Sequence, residues 1–175
     1  MVVKCADFQP ERYFSKPPLL KNRKGNPGGK KRHYIGITTA FDIETTLIDS
    51  VEQSVMYIWQ WQFGDKCTVI GRTWYELRLF LAELKEILQD NKLVIFVHNL
   101  SFEFQYLSGV FDFAPDDVFC MDHRKILKAT LNESFEFRCS YLQSNMSLRS
   151  FCEKMGVHSY KLKMNYKKRR FWYTE

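Results

Sequence analysis

The residues with the clearest chemical potential are two acids two positions apart, in Phe41-Asp42-Ile43-Glu44-Thr45-Thr46. In an extended strand, residues i and i+2 point to the same face. Asp42 and Glu44 are therefore expected to aim their carboxylates together, while Phe41 and Ile43 enter the core. Two hard oxygen ligands on one strand suit a divalent cation such as Mg²⁺. They equally suit a solvated strand edge, so the pair alone does not decide. A third acid follows about sixty residues on, in His98-Asn99-Leu100-Ser101-Phe102-Glu103-Phe104. This stretch reads as a strand-to-helix turn, with Asn99 or Ser101 near the cap and Glu103 in the first helical turn. In open α/β sheets, ligand sites gather at such carboxyl ends of strands.

Positioning these groups requires a scaffold, and hydrophobic periodicity outlines one. Residues 35–44 read as a first strand, with a turn or bulge near Thr38-Thr39. Residues 54–63 read as a second, with Val55, Tyr57, Trp59, Trp61 and Phe63 on one face. Gly64-Asp65 signals a tight turn, and residues 66–71 return as a third strand, completing an antiparallel meander. Residues 74–89 carry apolar side chains at i, i+3, i+4, i+7 spacing, which predicts a helix; Thr73 is its expected N-cap, with Glu76 three residues on. The apolar run at 93–97 suits a buried parallel strand. Further strands are expected at 118–120, 125–129 and 135–139, then a short helix over 147–155 ended by Gly156. A meander, a helix crossover and a parallel strand predict an α/β fold with a mixed sheet.

Prolines and the Gly25-Asn26-Pro27-Gly28-Gly29 stretch mark residues 1–33 as a basic extended arm. The domain proper is expected over 34–160. Residues 161–175 form a basic, aromatic tail, from Lys161 to Phe171-Trp172-Tyr173. The 175-residue chain is long enough for one domain with a substantial core. Its formal net charge of +6 favours a polyanionic partner. The five cysteines are scattered, without the spacing of a zinc site, and are expected to be reduced thiols in a cytoplasmic setting. No apolar run approaches the length of a membrane-spanning helix, and no signal peptide is visible, so no membrane partner is expected.

Taken together, the Asp-x-Glu strand, the Asn-x-x-x-acid turn and the basic aromatic tail resemble the 3′–5′ exonuclease domain of family B DNA polymerases. The likeness is to the protein-primed branch found in phages and linear plasmids. It covers roughly residues 35–170. Asp42-Ile43-Glu44-Thr45 matches the first exonuclease motif, and Asn99-Leu100-Ser101-Phe102-Glu103 the second. The resemblance implies a ribonuclease-H-like fold, a site for two Mg²⁺ or Mn²⁺ ions, and hydrolysis at the 3′ end of single-stranded DNA. It implies Asp42, Glu44 and Glu103 as metal ligands, with Glu44 also orienting the attacking water. Thr45, Asn99 and Phe102 would hold the 3′ end; Ser140 and Tyr141 would contact the strand; Lys161 would assist at the scissile phosphate.

The match has three departures. Glu103 stands where the family has Asp, and Tyr141 where the branch has Leu. The family's third motif, Tyr-x-x-x-Asp, is absent: Tyr160 is followed four later by Met164, and Tyr166 by Arg170. The site is therefore expected to be incomplete, with a C-terminal polymerase polypeptide completing it and a terminal protein as a further partner. Two other readings stand beside this one. A self-contained nuclease would take its last acid from Asp112, Asp116 or Asp122. A catalytically incomplete module would bind single-stranded DNA or a polymerase without turnover.

Overall fold

The computed structural model describes residues 1–14, 19–21, 33–48, 52–122 and 125–157. Its centre is an eight-stranded mixed sheet. The strands are β1 (Val2–Lys4), β4 (Thr39–Ile48), β5 (Gln53–Phe63), β6 (Cys67–Gly71), β7 (Leu93–Val97), β8 (Val118–Asp122), β9 (Lys125–Leu131) and β10 (Phe135–Cys139). Their order is β1-β6-β5-β4-β7-β10-β9-β8. The β4-β5-β6 meander is antiparallel, and β7 joins β4 in parallel on its other side. β10 pairs parallel to β7, then β9 and β8 continue antiparallel. The short strands β2 (Leu19–Lys21) and β3 (His33–Ile35) form a separate ribbon. Helices α1 (Glu11–Phe14), α2 (Trp74–Leu88), α3 (Leu100–Leu107), α4 (Tyr141–Ser144) and α5 (Leu148–Lys154) complete the fold. This is the ribonuclease-H-like mixed sheet expected from the sequence.

The helix α2 starts where its capping box dictates: the Thr73 hydroxyl accepts from the Glu76 backbone, and the Glu76 carboxylate accepts from Thr73. Its buried stripe, Leu77, Phe80, Leu81, Leu84 and Leu88, covers one sheet face. Phe80 meets Trp59 and Trp61, and Trp61 in turn meets Phe41 and Phe137. Gly71 lies opposite Trp59 in the β5–β6 register. The Trp59 indole N–H donates to the Thr73 carbonyl (3.1 Å), which fixes the ring over Gly71. A Cβ at Gly71 would press into that ring, 2.7 Å from its Nε1. Gly71→Ala should therefore destabilise the fold by at least about 1–3 kcal/mol, the usual cost of overpacking, read as a lower urea midpoint.

Three expectations are corrected. The first strand begins at Thr39 rather than 35 and continues past Glu44 to Ile48, while residues 33–35 belong to the β2–β3 ribbon. The single face expected for the second strand breaks: between Glu44 and Thr45 the register shifts, so Glu44 pairs Ile58 but Thr45 pairs Met56. Tyr57 is the extra residue of this bulge, and beyond it Met56 turns inward instead. The N-terminal segment is no extended arm in its first part. Val2–Lys4 adds to the sheet edge parallel to β6, and Phe8 and Phe14 are buried against Phe63. The apolar gain from those two rings outweighs the helix-breaking effect of the neighbouring prolines. Most of residues 15–32 and the expected tail, 161–175, lie outside the described residues.

Candidate active site

Strand alternation and register place the acids. Phe41 and Ile43 are buried on the α2 side, and Asp42 and Glu44 point to the opposite face, as expected. Gln60, directly across from Asp42, donates from Nε2 to Asp42 Oδ2 at 2.9 Å and so holds that carboxylate in place. The bulge immediately after Glu44 ends this regular stretch.

Glu103 comes from α3. After β7, Asn99 takes a left-handed conformation (φ 70°) that turns the chain into the helix, and its side chain makes no capping bond. Capping is thus not the use of that side chain, which is exposed at the turn. Ser101 instead accepts from the Ile126 backbone N–H (3.0 Å), tying the start of α3 to β9. This anchoring carries Glu103 inward to face Asp42. Glu103 is only 3% exposed, and its Oε2 is buried with no hydrogen-bond partner among the described residues. Burial pushes its carboxyl up to about 8; a hydrogen bond from its own backbone N–H opposes this, and the charge and hydrogen bonding of Asp42 add to the rise. Near neutral pH, without a cation, Glu103 thus keeps a proton that it donates to the Asp42 carboxylate. The longer side chain of Glu reaches its partner acid without difficulty.

A buried carboxyl that faces an anion and keeps one oxygen unpartnered among the described residues is short of positive charge. Hard oxygen donors in that state fit a divalent cation chemically. Among the described residues, however, no three acidic, His or Cys side chains come close enough together to form a metal cluster. Asp42 and Glu103 converge; Glu44, half-buried on the same face, does not complete a triad with them. Asp112, Asp116 and Asp122 likewise add no cluster.

The residues expected to hold a strand lie on β4, at the turn of β7 into α3, and at the end of β10. Phe102 is 39% exposed, next to Glu103, and rests on Tyr106 (5.4 Å between rings) rather than in the core. Thr45 follows Glu44 and is half-buried. Ser140 and Tyr141 follow β10, and Ser140 binds back to β7: its N–H donates to Val97 O (2.9 Å), and its hydroxyl lies 3.2 Å from His98 Nδ1. The His98 ring meets Tyr141 edge-on. Lys161 lies outside the described residues. Two residues were not singled out from sequence, Gln60 and His98. Gln60 is recoverable only once the β4–β5 register and its bulge are known; His98 carries only the weak signal of ending an apolar strand.

The sheet order is that of a ribonuclease-H-like domain. The chain belongs to the 3′–5′ exonuclease family, whose model matches residues 30–170. Its fold is similar to that of phi29 DNA polymerase complexed with primer-template DNA (TM-score 0.57, 15% identity) and with single-stranded DNA (0.57, 14%). An orthorhombic crystal form of the same polymerase is also similar (0.55, 13%). Each match covers 77% of this chain and 26% of the polymerase. A search of curated proteins gives no match. No helix among the described residues is long and apolar enough to cross a membrane.

If Phe102 carries a stacked base, Phe102→Ala should weaken binding of a short single strand by about 1–3 kcal/mol without lowering the melting temperature. Fluorescence anisotropy at fixed salt reads the first quantity, and a thermal melt the second.

Proposed function

We propose that this chain is the proofreading portion of a protein-primed DNA polymerase, hydrolysing the 3′-terminal phosphodiester of single-stranded DNA. The observation that carries this reading is the convergence of Asp42 and Glu103, with the buried, unpartnered Glu103 Oε2 between family motifs. Asp42, Glu103 and Glu44 would hold Mg²⁺ or Mn²⁺. What the cations supply when bound is charge neutralisation at the phosphate and an activated water.

The remaining work falls to the chain. Gln60 fixes Asp42, so the first carboxylate is oriented before substrate arrives. Burial of Glu103 keeps one wall of the site dry, which strengthens electrostatic interactions there. Phe102 and Tyr141 offer exposed rings to the terminal bases, and Thr45, Asn99 and Ser140 offer polar groups to the sugar and phosphate. Lys161 is proposed to neutralise charge at the scissile phosphate.

The acid and tyrosine of the third motif would come from a C-terminal polymerase part, and a terminal protein would be a further partner of that assembly. A second reading, a single-strand or polymerase-binding module without turnover, draws on the absence of a three-ligand cluster among the described residues. The deciding experiment follows a 5′-labelled single strand with Mg²⁺, using the full chain alone and mixed with a polypeptide bearing a Tyr-x-x-x-Asp helix. Stepwise shortening from the 3′ end in either arm supports the exonuclease; intact strand in both arms, with binding retained, supports the module.

A further inference from the structure

On the face of the sheet that carries Asp42 there is a second polar centre, built on β9 and β10. Glu136 is buried (2% exposed) yet ionised. Burial alone would raise its carboxyl, but hydrogen bonds and charge from Arg138, with the charges of Lys128 and Lys92, hold it below the ordinary value. Arg138 Nε donates to Glu136 Oε1 at 2.7 Å, and Arg138 Nη2 donates to the same oxygen. The Tyr34 hydroxyl donates to Oε2 at 3.1 Å, and Lys92 Nζ lies 3.8 Å from it. The Arg138 guanidinium also lies over the Tyr34 ring, 5.5 Å from its centroid.

Arg138 alone suffices to neutralise Glu136. Lys128 adds a further positive charge, and it stands directly opposite Arg138 in the β9–β10 register. Like charges so placed are destabilising unless an anion compensates them. Lys128, Arg138, Tyr34 and Glu136 line a cavity of about 380 Å³, together with Leu142 and Gln143 of α4.

Register fixes how this cavity relates to the acids. Ala40 pairs with Phe96, and Phe96 pairs with Arg138, so the three share one face, and Asp42 shares it by alternation. Strand spacing of ~4.8 Å and a rise of ~3.3 Å per residue put the Arg138 backbone about 12 Å from that of Asp42. Phe96, half-buried, stands between them. Cations and aromatic rings tracking away from a nuclease centre are what a single strand requires.

We infer that the Lys128–Arg138–Tyr34 cavity is a phosphate subsite, taking a backbone phosphate upstream of the terminal nucleotide of a bound single strand. The inference rests on the nucleic-acid substrate proposed above. Arg138 is held by Glu136 and Tyr34 and shapes the cavity; Lys128 supplies the free charge. The subsite makes strand length a determinant of affinity: a dinucleotide is too short to reach it, and a hexanucleotide is not.

The test uses the full chain in EDTA with oligothymidylates of two and six nucleotides, comparing wild type, Lys128→Gln and Lys128→Arg. Lys128 is half-exposed, so neither variant opens a core cavity. For the hexanucleotide, Lys128→Gln should lower affinity about fivefold at 0.1 M salt and flatten the plot of log affinity against log salt by about 0.7. Lys128→Arg should restore both, and dinucleotide binding should not change. Equal losses for both lengths, or an unchanged slope in Lys128→Gln, would overturn the subsite while leaving the exonuclease reading intact. If wild type binds neither oligonucleotide, the proposed substrate itself is wrong.

Discussion

Replacing Glu103 with Gln should make the metal-free protein more stable at pH 8 and erase its thermal response to Mg²⁺. The sign follows from proton linkage. The Glu103 carboxyl titrates near 4.5 when unfolded and at about 8 in the fold, raised by burial and then by Asp42. Between those values the folded state holds a proton that the unfolded state has released. Wild-type stability should accordingly fall as pH rises from about 4.5 to 8, and level off on either side. Each unit of that difference corresponds to about 1.4 kcal/mol, so the total loss is on the order of a few kcal/mol. Gln is neutral at every pH and can still donate to Asp42, so the variant should be nearly flat across this window.

A cation held by Asp42 and Glu103, as proposed, would compete with that proton, and so should stabilise wild type most where the proton is weakest held. At a concentration one hundred times its dissociation constant, that stabilisation is about 2.7 kcal/mol. Thermal melts from pH 4.5 to 9, with and without Mg²⁺, measure both effects. A wild-type melting temperature that is level through the window and indifferent to Mg²⁺ would refute the acid pair as described.

How far such a site can be read from sequence depends on which physical rule places each residue. Asp42 and Glu44 share a face because alternation in a strand is geometric, and α2 begins at Thr73 because a capping box is local. Both were legible. The bulge at Tyr57 was not, since nothing in the alternating run from Val55 to Phe63 announces an extra residue. Phe8 and Phe14 were hidden for a different reason: nearby Pro10, Pro17 and Pro18 speak against regular structure, but tertiary burial of two rings needs no long element. The Arg138–Lys128 pair requires a cross-strand register, which the Asn132-Glu133-Ser134 turn sets only through two consecutive positive φ values, 49° and 61°. The expectation for Glu103 was its place in the first helical turn; its burial, which governs its chemistry, came from the packing of α3 against β9.

Asp42→Ala should abolish 3′ shortening of a single strand, lowering the rate by at least about a thousandfold. If Asp42 helps to hold a catalytic cation, as proposed, its loss removes several kcal/mol of transition-state stabilisation, and each 1.4 kcal/mol is tenfold in rate. The same substitution should not unfold the protein. Asp42 is exposed, so truncation leaves no core cavity, and removing its charge relieves the pressure on the buried Glu103. The prediction is therefore a split: activity lost, with metal-free stability at pH 8 held or raised. A variant that merely damaged the fold would lose both together. The split holds whether the chain acts alone or with a polypeptide supplying a third motif, because any such complement adds an acid without replacing the one on β4. Comparing initial rates and melts for Asp42→Ala and Gln60→Ala sharpens the test. Gln60 only positions Asp42 through the 2.9 Å bond, so its loss should lower the rate far less and leave a response to Mg²⁺. If shortening by Asp42→Ala stays within tenfold of wild type, the reacting phosphate does not sit at the Asp42–Glu103 pair, and the cation must be held elsewhere.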